Sequence, residues 1–458
     1  MTRKSQNIKL QTAKCKNLTI NILSIVVVLV ALLSCKQEQP VVHVPQEIPS
    51  NKTVEIKQFG EKFVLFRHGK PFYIRGAAGR ERLQELKAAG GNSIRTWNHY
   101  GVDTLLDKAH ALGLTVTVGL YLRPERHGFD YRDSIACRRQ REYLRQVVLQ
   151  HKDHPALLMW GVGNEMELNG TDDIVWQEVN RVAQMIHDID PNHPTTTMIM
   201  PLPRTATLIA TEAPAIDIIA INTFGELATV PEKIRKPWYN WEGPYLIGEW
   251  GGMGWWESGL TDWQAPIEMR YHQKVDFYLD RYSACMQIDT TRCLGSYVFY
   301  WGQKQERTHS WFSMFLESGE KTALVDAMQK VWTGEKPGNL SPRIKRIFLH
   351  EQESLSRIYL EPGQEYEAIV EATDPEGDSL RYRWELRPEG EYQGMTGGDI
   401  ERVPQPIPDL IAKGEQPRIW LQSPDSMGAY RLFVTVLDGR GSGTVANVPF
   451  FVMENLLP

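Results

Sequence analysis

His154-Pro-Ala-Leu-Leu-Met-Trp-Gly-Val-Gly-Asn-Glu165 passes from a helix stop through an apolar run into an adjacent amide and carboxylate. A run of this kind, bounded by Pro155 and by Gly161 and Gly163, is what a strand buried on both faces requires. Parallel barrels and doubly wound sheets place their chemistry at the carboxyl ends of strands, so Asn164 and Glu165 emerge where an active site is expected. Pro244-Tyr-Leu-Ile-Gly-Glu-Trp250 has the same form: an apolar strand ending in Glu249, followed by an aromatic and by Gly251 and Gly252. Two strand-end glutamates suggest a working pair.

Around these segments strands and helices alternate. Phe72–Gly76, Ser93–Trp97, Thr115–Leu122, Leu157–Glu165, Thr195–Met200, Ile216–Phe224, Tyr245–Trp250 and Leu294–Trp301 read as strands. Helical periodicity falls between many of them, at about Arg80–Ala89, Val102–Ala111, Ser134–His151, Asp173–Asp188 and Gln264–Ala284. Eight strands in this rhythm predict an α/β fold, a closed (β/α)8 TIM barrel over residues 55–337. An open doubly wound sheet is the alternative, but no Gly-rich phosphate loop follows an early strand. From 338 to 458 the period changes to two, as in Glu365–Ala372, Leu380–Leu386 and Tyr430–Leu437, between turns rich in Gly, Pro and Asp. That pattern predicts an all-β, Ig-like sandwich. Asp374-Pro-Glu-Gly-Asp378 reads as a turn in preference to a calcium loop.

Lys4, Lys9, Lys14 and Lys16 precede an apolar run from Leu18 to Leu33 that ends in Leu32-Leu-Ser-Cys35. Residues 1–35 resemble a lipoprotein signal peptide, with Cys35 the lipidated residue, followed by a Pro-rich linker over 36–54. An uncleaved transmembrane helix is the alternative. The lipoprotein reading places the protein in a bacterial cell envelope, lipid-anchored to the outer membrane through Cys35. Cys285 and Cys293 are close enough in sequence for a local disulfide there. A formal net charge of -5 supplies no electrostatic footprint for nucleic acid, so none is expected as a partner, and a monomer is expected. Eleven of the 14 tryptophans lie between Trp97 and Trp311, the same span as the two glutamates, and some are expected to stack on sugar faces. The partner expected is therefore an oligo- or polysaccharide.

Glycosidic bond cleavage needs one carboxylic acid to protonate the leaving oxygen and one carboxylate on the other side of the anomeric carbon. Glu249 is expected as the ionised nucleophile, with Arg95 on the same rim favouring its charged form. Glu165 is expected as the acid/base, its proton held by partial burial and by repulsion from its partner. Asn164 is expected to donate to the sugar 2-hydroxyl, and Trp301 to floor the pocket. Asn222, His99 and Trp250, at neighbouring strand ends, are further candidates for substrate contact. No cofactor is implied. His151 and His154 have a spacing seen in metal sites, but Pro155 ends the helix and no third ligand completes a set, so no metal is expected.

These segments together resemble glycoside hydrolase clan A, above all the barrel domain of family 2. The resemblance rests on Phe72-Tyr-Ile-Arg-Gly76, on Leu86-Lys-Ala-Ala-Gly-Gly-Asn-Ser-Ile-Arg-Thr-Trp97, on His154-Pro through Asn164-Glu165 and on Gly248-Glu249-Trp250. It implies that Glu165 is the acid/base and Glu249 the nucleophile. The tyrosine that commonly ends strand six in the clan and orients the nucleophile is not found in Asn222-Thr-Phe224. The expected function is a retaining β-glycosidase, with endo action on a β-glucan as the substrate guess. A non-catalytic surface glycan-binding lipoprotein and a transglycosylase using the same glutamates are the alternatives.

Overall fold

A computed structural model describes residues 44–353, 357–390 and 401–454. The signal segment, Cys35 and the linker up to residue 43 lie outside the described residues.

The body opens with an antiparallel hairpin that the sequence reading did not assign, β1 (Val54–Phe59), β2 (Lys62–Arg67) and the short β3 (Lys70–Pro71). Val54 N–H donates to the Asn192 carbonyl at 3.0 Å and Phe63 N–H to the Thr291 carbonyl at 2.7 Å. Both carbonyls belong to segments entering barrel strands, so the hairpin covers the amino-terminal mouth of the barrel.

Eight parallel strands follow: β4 (Ile74–Ala78), β5 (Ser93–Arg95), β6 (Thr115–Leu120), β7 (Leu157–Asn164), β8 (Thr195–Ile199), β9 (Ile218–Asn222), β10 (Tyr245–Trp250) and β11 (Cys293–Val298). They close in the order β10-β11-β4-β5-β6-β7-β8-β9, the TIM barrel expected. Alternation along each strand builds two cores. In β9, Ile219 and Ile221 face the helices while Ile218 and Ala220 face the barrel interior. Inside, Tyr297 lies over Gly76, where a Cβ would come within 2.3 Å of its ring, and its hydroxyl bonds Ser93 (2.9 Å) and Thr117 (2.6 Å).

Two strands depart from alternation where they carry the glutamates. The pairing of β10 with β9 shifts register between Ile247 and Glu249. Ile247 faces the helices, so strict alternation would point Glu249 outward as well; the irregularity at Gly248 turns Glu249 inward and Trp250 out. In β7 the register against β8 shifts between Gly161 and Asn164, and Gly163 (φ 75°) and Glu165 (φ 47°) both take left-handed backbone. For a glutamate that conformation is held against its steric preference by its surroundings.

The C-terminal part adds β12 (Arg343–Leu349), β13 (Tyr359–Leu360), β14 (Glu365–Thr373), β15 (Arg381–Pro388), β16 (Ile411–Ala412), β17 (Arg418–Gln422), β18 (Gly428–Leu437) and β19 (Gly443–Val452), in two sheets ordered β12-β14-β17-β16 and β13-β19-β18-β15. The strands that matter below are β18 and β19. Ile344, Val370, Ile419 and Leu421 of one sheet and Leu386, Val434, Val448 and Phe450 of the other share one buried core. Asp374 Oδ1 accepts the amides of Glu376 (2.9 Å) and Asp378 (3.0 Å), which makes that segment a turn. Cys137, Cys285 and Cys293 are buried free thiols, so no Cys285–Cys293 disulfide forms. Cys285 ends helix Tyr271–Cys285 and Cys293 opens β11, and both pack as small apolar groups in the layer between helices and barrel.

Candidate active site

Arg95, Asn164, Glu165, Asn222 and Glu249 converge at the carboxyl ends of their strands, on a cleft of about 450 Å³. Arg95 is fully buried inside the barrel and organises the floor. Its Nη1 donates to Glu249 Oε1 (2.9 Å) and to the Gly248 carbonyl (2.8 Å), and its Nη2 to Asn164 Oδ1 (2.5 Å). Because Asn164 Oδ1 faces Arg95, its NH2 group remains as a donor on the cleft side.

Glu249 is held by one oxygen. Oε1 accepts from Arg95 Nη1, from Trp97 Nε1 at 2.7 Å and from Asn222 Nδ2 at 3.1 Å. Oε2 has no hydrogen-bond partner among the described residues and is left to face the cleft. Gly248 makes room for this arrangement, since a Cβ there would come within 2.6 Å of Asn222 Oδ1. Asn222 Nδ2 also donates to Glu165 Oε1 at 2.9 Å. The two carboxylate oxygens are therefore no farther apart than those two bonds laid end to end, 6.0 Å. For these two oxygens that ceiling admits the roughly 5–5.5 Å separation of retaining pairs.

Glu165 is pushed up to about 7, first by burial and then by the charge of Glu249; the Asn222 bond and the charges of Arg126 and Arg95 act the other way. Its backbone is stitched down by its own N–H to the Met198 carbonyl (2.8 Å) and by Arg126 Nη1 on its carbonyl (2.8 Å). Glu167, two residues on, is raised to about 8 by burial, and its Oε1 accepts the Met200 amide at 2.7 Å.

Three sequence candidates stand elsewhere. Trp250 is buried against Tyr278 and Tyr282 on the helix side, as the β10 irregularity requires. Trp301 is also fully buried, donating to the Arg82 carbonyl (3.0 Å) and packing on Phe315 and Trp332. Alternation carried on from the outward-facing Val298 would turn Trp301 inward, but β11 ends at Val298 and Trp301 packs into the same outer layer; Phe299 and Tyr300 form the cleft surface in its place. His99 lies beneath the rim: Nδ1 accepts the Tyr121 amide (3.3 Å), Nε2 meets the Tyr143 hydroxyl (3.2 Å), and burial lowers it to about 4. It is neutral packing, outside the cleft lining.

Trp97 was not singled out as a site residue, although it ends the Ser93-Ile-Arg-Thr-Trp97 segment on the inward parity of Ser93 and Arg95. It supplies the nucleophile-side donor that no strand-six tyrosine offers, and its ring stacks on Tyr300 (centroids 5.8 Å, 22°). Tyr121 and Trp256, which follow strands opposite one another in the barrel order, add aromatic walls. His154 binds locally, its Nδ1 to the Ala156 amide (3.1 Å) and its Nε2 to Asp107 (3.3 Å). Among the described residues no cluster of three His, Cys, Asp or Glu side chains could hold a metal ion.

Residues 83–314, more than half of the chain, match the family model described as glycosyl hydrolases family 2, TIM barrel domain. The chain belongs to glycosyl hydrolase family 2. Within that family it is similar to the β-glucuronidase of Streptococcus agalactiae, 24% identical over 262 residues, covering 51% of this chain and 42% of the relative. A second similarity is to mannan endo-1,4-β-mannosidase F of Aspergillus clavatus, 34% identical over 56 residues, 12% of this chain and 13% of that one. Among solved structures, the β-glucuronidase of Bifidobacterium dentium complexed with coumarin-3-O-glucuronide aligns at TM-score 0.49 and 16% identity, covering 62% of this chain and 49% of the other. This family 2 chain spans about two fifths of the length of the β-glucuronidases it matches.

Proposed function

We propose that the protein is a retaining β-glycosidase working by double displacement, with Glu249 as nucleophile and Glu165 as acid/base. The observation that carries this is the tethered Glu249: Oε1 takes three donors, Oε2 is left for attack, and a protonated Glu165 lies across the cleft. Glu249 Oε2 bonds to the anomeric carbon as the glycosidic C–O bond breaks, and Glu165 gives its proton to the departing oxygen. Esterification removes the charge of Glu249, so the pKa of Glu165 falls, the residue stays ionised after giving up its proton, and it can then act as base and take a proton from water. That water then displaces Glu249 with a second inversion, giving net retention. The Asn164 NH2 group donates to the 2-hydroxyl. Arg95, Trp97 and Asn222 hold the carboxylate and stabilise it as it leaves.

As substrate we propose a β-linked oligo- or polysaccharide, with endo action on a β-glucan to be tested first; the aromatic walls contributed by Tyr121 and Trp256 from opposite strands support a chain lying across the cleft. A β-glucuronide is the second reading. Arg126 favours it, because it lines the cleft and makes no salt bridge among the described residues, its charge acting on Glu165 only at longer range. We further propose that Cys35 anchors the protein in the cell envelope by lipid; loss of membrane fractionation in Cys35→Ala tests this.

Purified protein is screened on β-1,3-, β-1,4- and mixed-linkage glucans and on aryl β-glucosides and β-glucuronides, with product anomers followed by NMR. Retained configuration, with turnover lost in Glu249→Ala and Glu165→Ala, is expected. Inverted product, or undiminished activity in both variants, overturns the assignment. Binding without turnover on every glycan favours a non-catalytic binder, and chain-lengthened products a transglycosylase.

A further inference from the structure

The C-terminal sheets reach into the barrel's carboxyl-end loops through a buried polar network centred on Glu268. This glutamate precedes helix Tyr271–Cys285 and is almost wholly enclosed. Its Oε1 accepts Lys274 Nζ at 2.6 Å. Its Oε2 accepts Thr308 Oγ1 (2.6 Å) and Ser310 Oγ (3.2 Å) from the loop after β11, and Asn447 Nδ2 (2.7 Å) from β19. Lys274 Nζ donates in turn to the Ser310 carbonyl at 2.7 Å. Behind Asn447, Arg431 of β18 donates to Asn447 Oδ1 (2.7 Å) and to the Pro266 carbonyl (2.9 Å), while two of its nitrogens grip Glu389. An ion pair removed from water is held in place by the completeness of its hydrogen bonds, so each member of this network constrains the others.

The same loop forms a wall of the cleft. Glu306 and Thr308 exchange backbone hydrogen bonds of 3.0 and 2.6 Å, so fixing Thr308 fixes Glu306. Glu306 pairs with Lys304 and accepts Trp255 Nε1 at 3.2 Å, and both Lys304 and Glu306 line the cleft. An unbroken path of bonds thus runs from β19 to the substrate side: Asn447, Glu268, Thr308, Glu306, Lys304. Two further contacts seat the loop on the C-terminal part, Arg307 N–H to Glu401 Oε2 (2.6 Å) and the His309 ring on Phe433 (4.6 Å).

We propose that the C-terminal sheets are a working part of the active site and that Asn447 is a positioning residue, setting the Lys304–Glu306 wall through Glu268 and Thr308. The kinetic side of this rests on the glycosidase reading; the positioning of the loop does not. Asn447→Ala removes one of the donors on Glu268 Oε2 and frees Arg431 from Asn447 Oδ1, while Thr308→Val removes the donor at the other end.

The test uses the full chain. Hydrogen exchange read by mass spectrometry is expected to be about tenfold faster over residues 303–311 in Asn447→Ala, with β4–β11 unchanged. Thr308→Val is expected to give the same local change, and the double variant little more than either alone. On the glycan that the screen identifies, KM rises about five- to tenfold while kcat stays within about twofold, because the carboxylates are untouched. Asn447→Gln, which keeps the amide, is expected to recover part of the unsubstituted exchange and KM. Exchange in the loop that matches the unsubstituted protein overturns the proposal, as does faster exchange confined to the C-terminal strands. A protein inactive on every glycan but with the loop loosened in Asn447→Ala overturns the glycosidase reading and leaves the positioning standing.

Discussion

Replacing Glu249 by Gln keeps its shape and removes its charge, and the structure says what Glu165 should then do. Two causes raise Glu165 to about 7: burial, the larger, and the neighbouring carboxylate. With carboxylate oxygens at most 6.0 Å apart, an effective dielectric near 20 gives about 3 kcal/mol of repulsion, or about two pK units. The cleft is open to water, which reduces this to about one to two units. Glu249→Gln should therefore bring Glu165 down to between about 5 and 6, short of the ordinary carboxylate value because burial persists. Carboxyl 13C titration of protein labelled at the glutamate side-chain carboxyl measures this directly, with Glu165→Gln identifying the resonance. The unsubstituted protein should show one glutamate titrating near 7 that moves acidward in Glu249→Gln. A Glu165 resonance that stays put in that variant, or that titrates near 4.5 in the native protein, refutes the argument. The same fall in pKa, on esterification of Glu249, is what would let one residue act first as acid and then as base.

Activity should fall as pH rises through about 7, because the protonated form of Glu165 does the work; in Glu165→Ala this alkaline limb should vanish, with kcat/KM down about 10²–10⁴-fold on poor leaving groups and much less on dinitrophenyl glycosides. Trp97→Phe keeps an aromatic ring and deletes the N–H on Glu249 Oε1; kcat should fall about tenfold or more in steady-state assays of the glycan that the screen identifies. Trp301→Ala should cost about 3–5 kcal/mol in denaturant unfolding by opening a cavity under the barrel's outer layer; with Trp301 outside the cleft, KM should be unaffected wherever the variant is folded. Glu167, raised in the folded state, holds its proton when the unfolded chain has lost it, so the native protein should lose stability from about pH 4.5 to about pH 8. Thermal unfolding of Glu167→Gln should show a shallower decline, the share due to Glu165 remaining.

Much of the site was legible because it obeys local rules. Strand-end carboxylates, buried apolar runs and turn residues are properties of short segments, and they located the barrel, both glutamates, Arg95, Asn164 and Asn222. Trp250 and Trp301 went astray because alternation was carried through irregular strand ends; the register shift beside Gly248 alters which neighbour faces in. A glycine before a charged residue hints at such a bulge, but only pairing with β9 reveals it. Trp97 was overlooked because an indole N–H has no chemistry of its own until a carboxylate is brought to it from a strand some 150 positions later in the chain.

By itself, then, the sequence determined the alternation that makes a barrel and the residue types available at each strand end. Only the tertiary structure decided which of those groups meet. Barrel closure brings β5, β7, β9 and β10 to one mouth, so that Arg95, Trp97 and Asn222 bind a single oxygen of Glu249 and leave the other exposed. The same holds for Asn447, an ordinary polar residue in a period-two strand until folding seats it on Glu268. Hydrogen bonds and charge repulsion act over a few ångströms of space, and distance in space between residues far apart in the chain is set by packing alone.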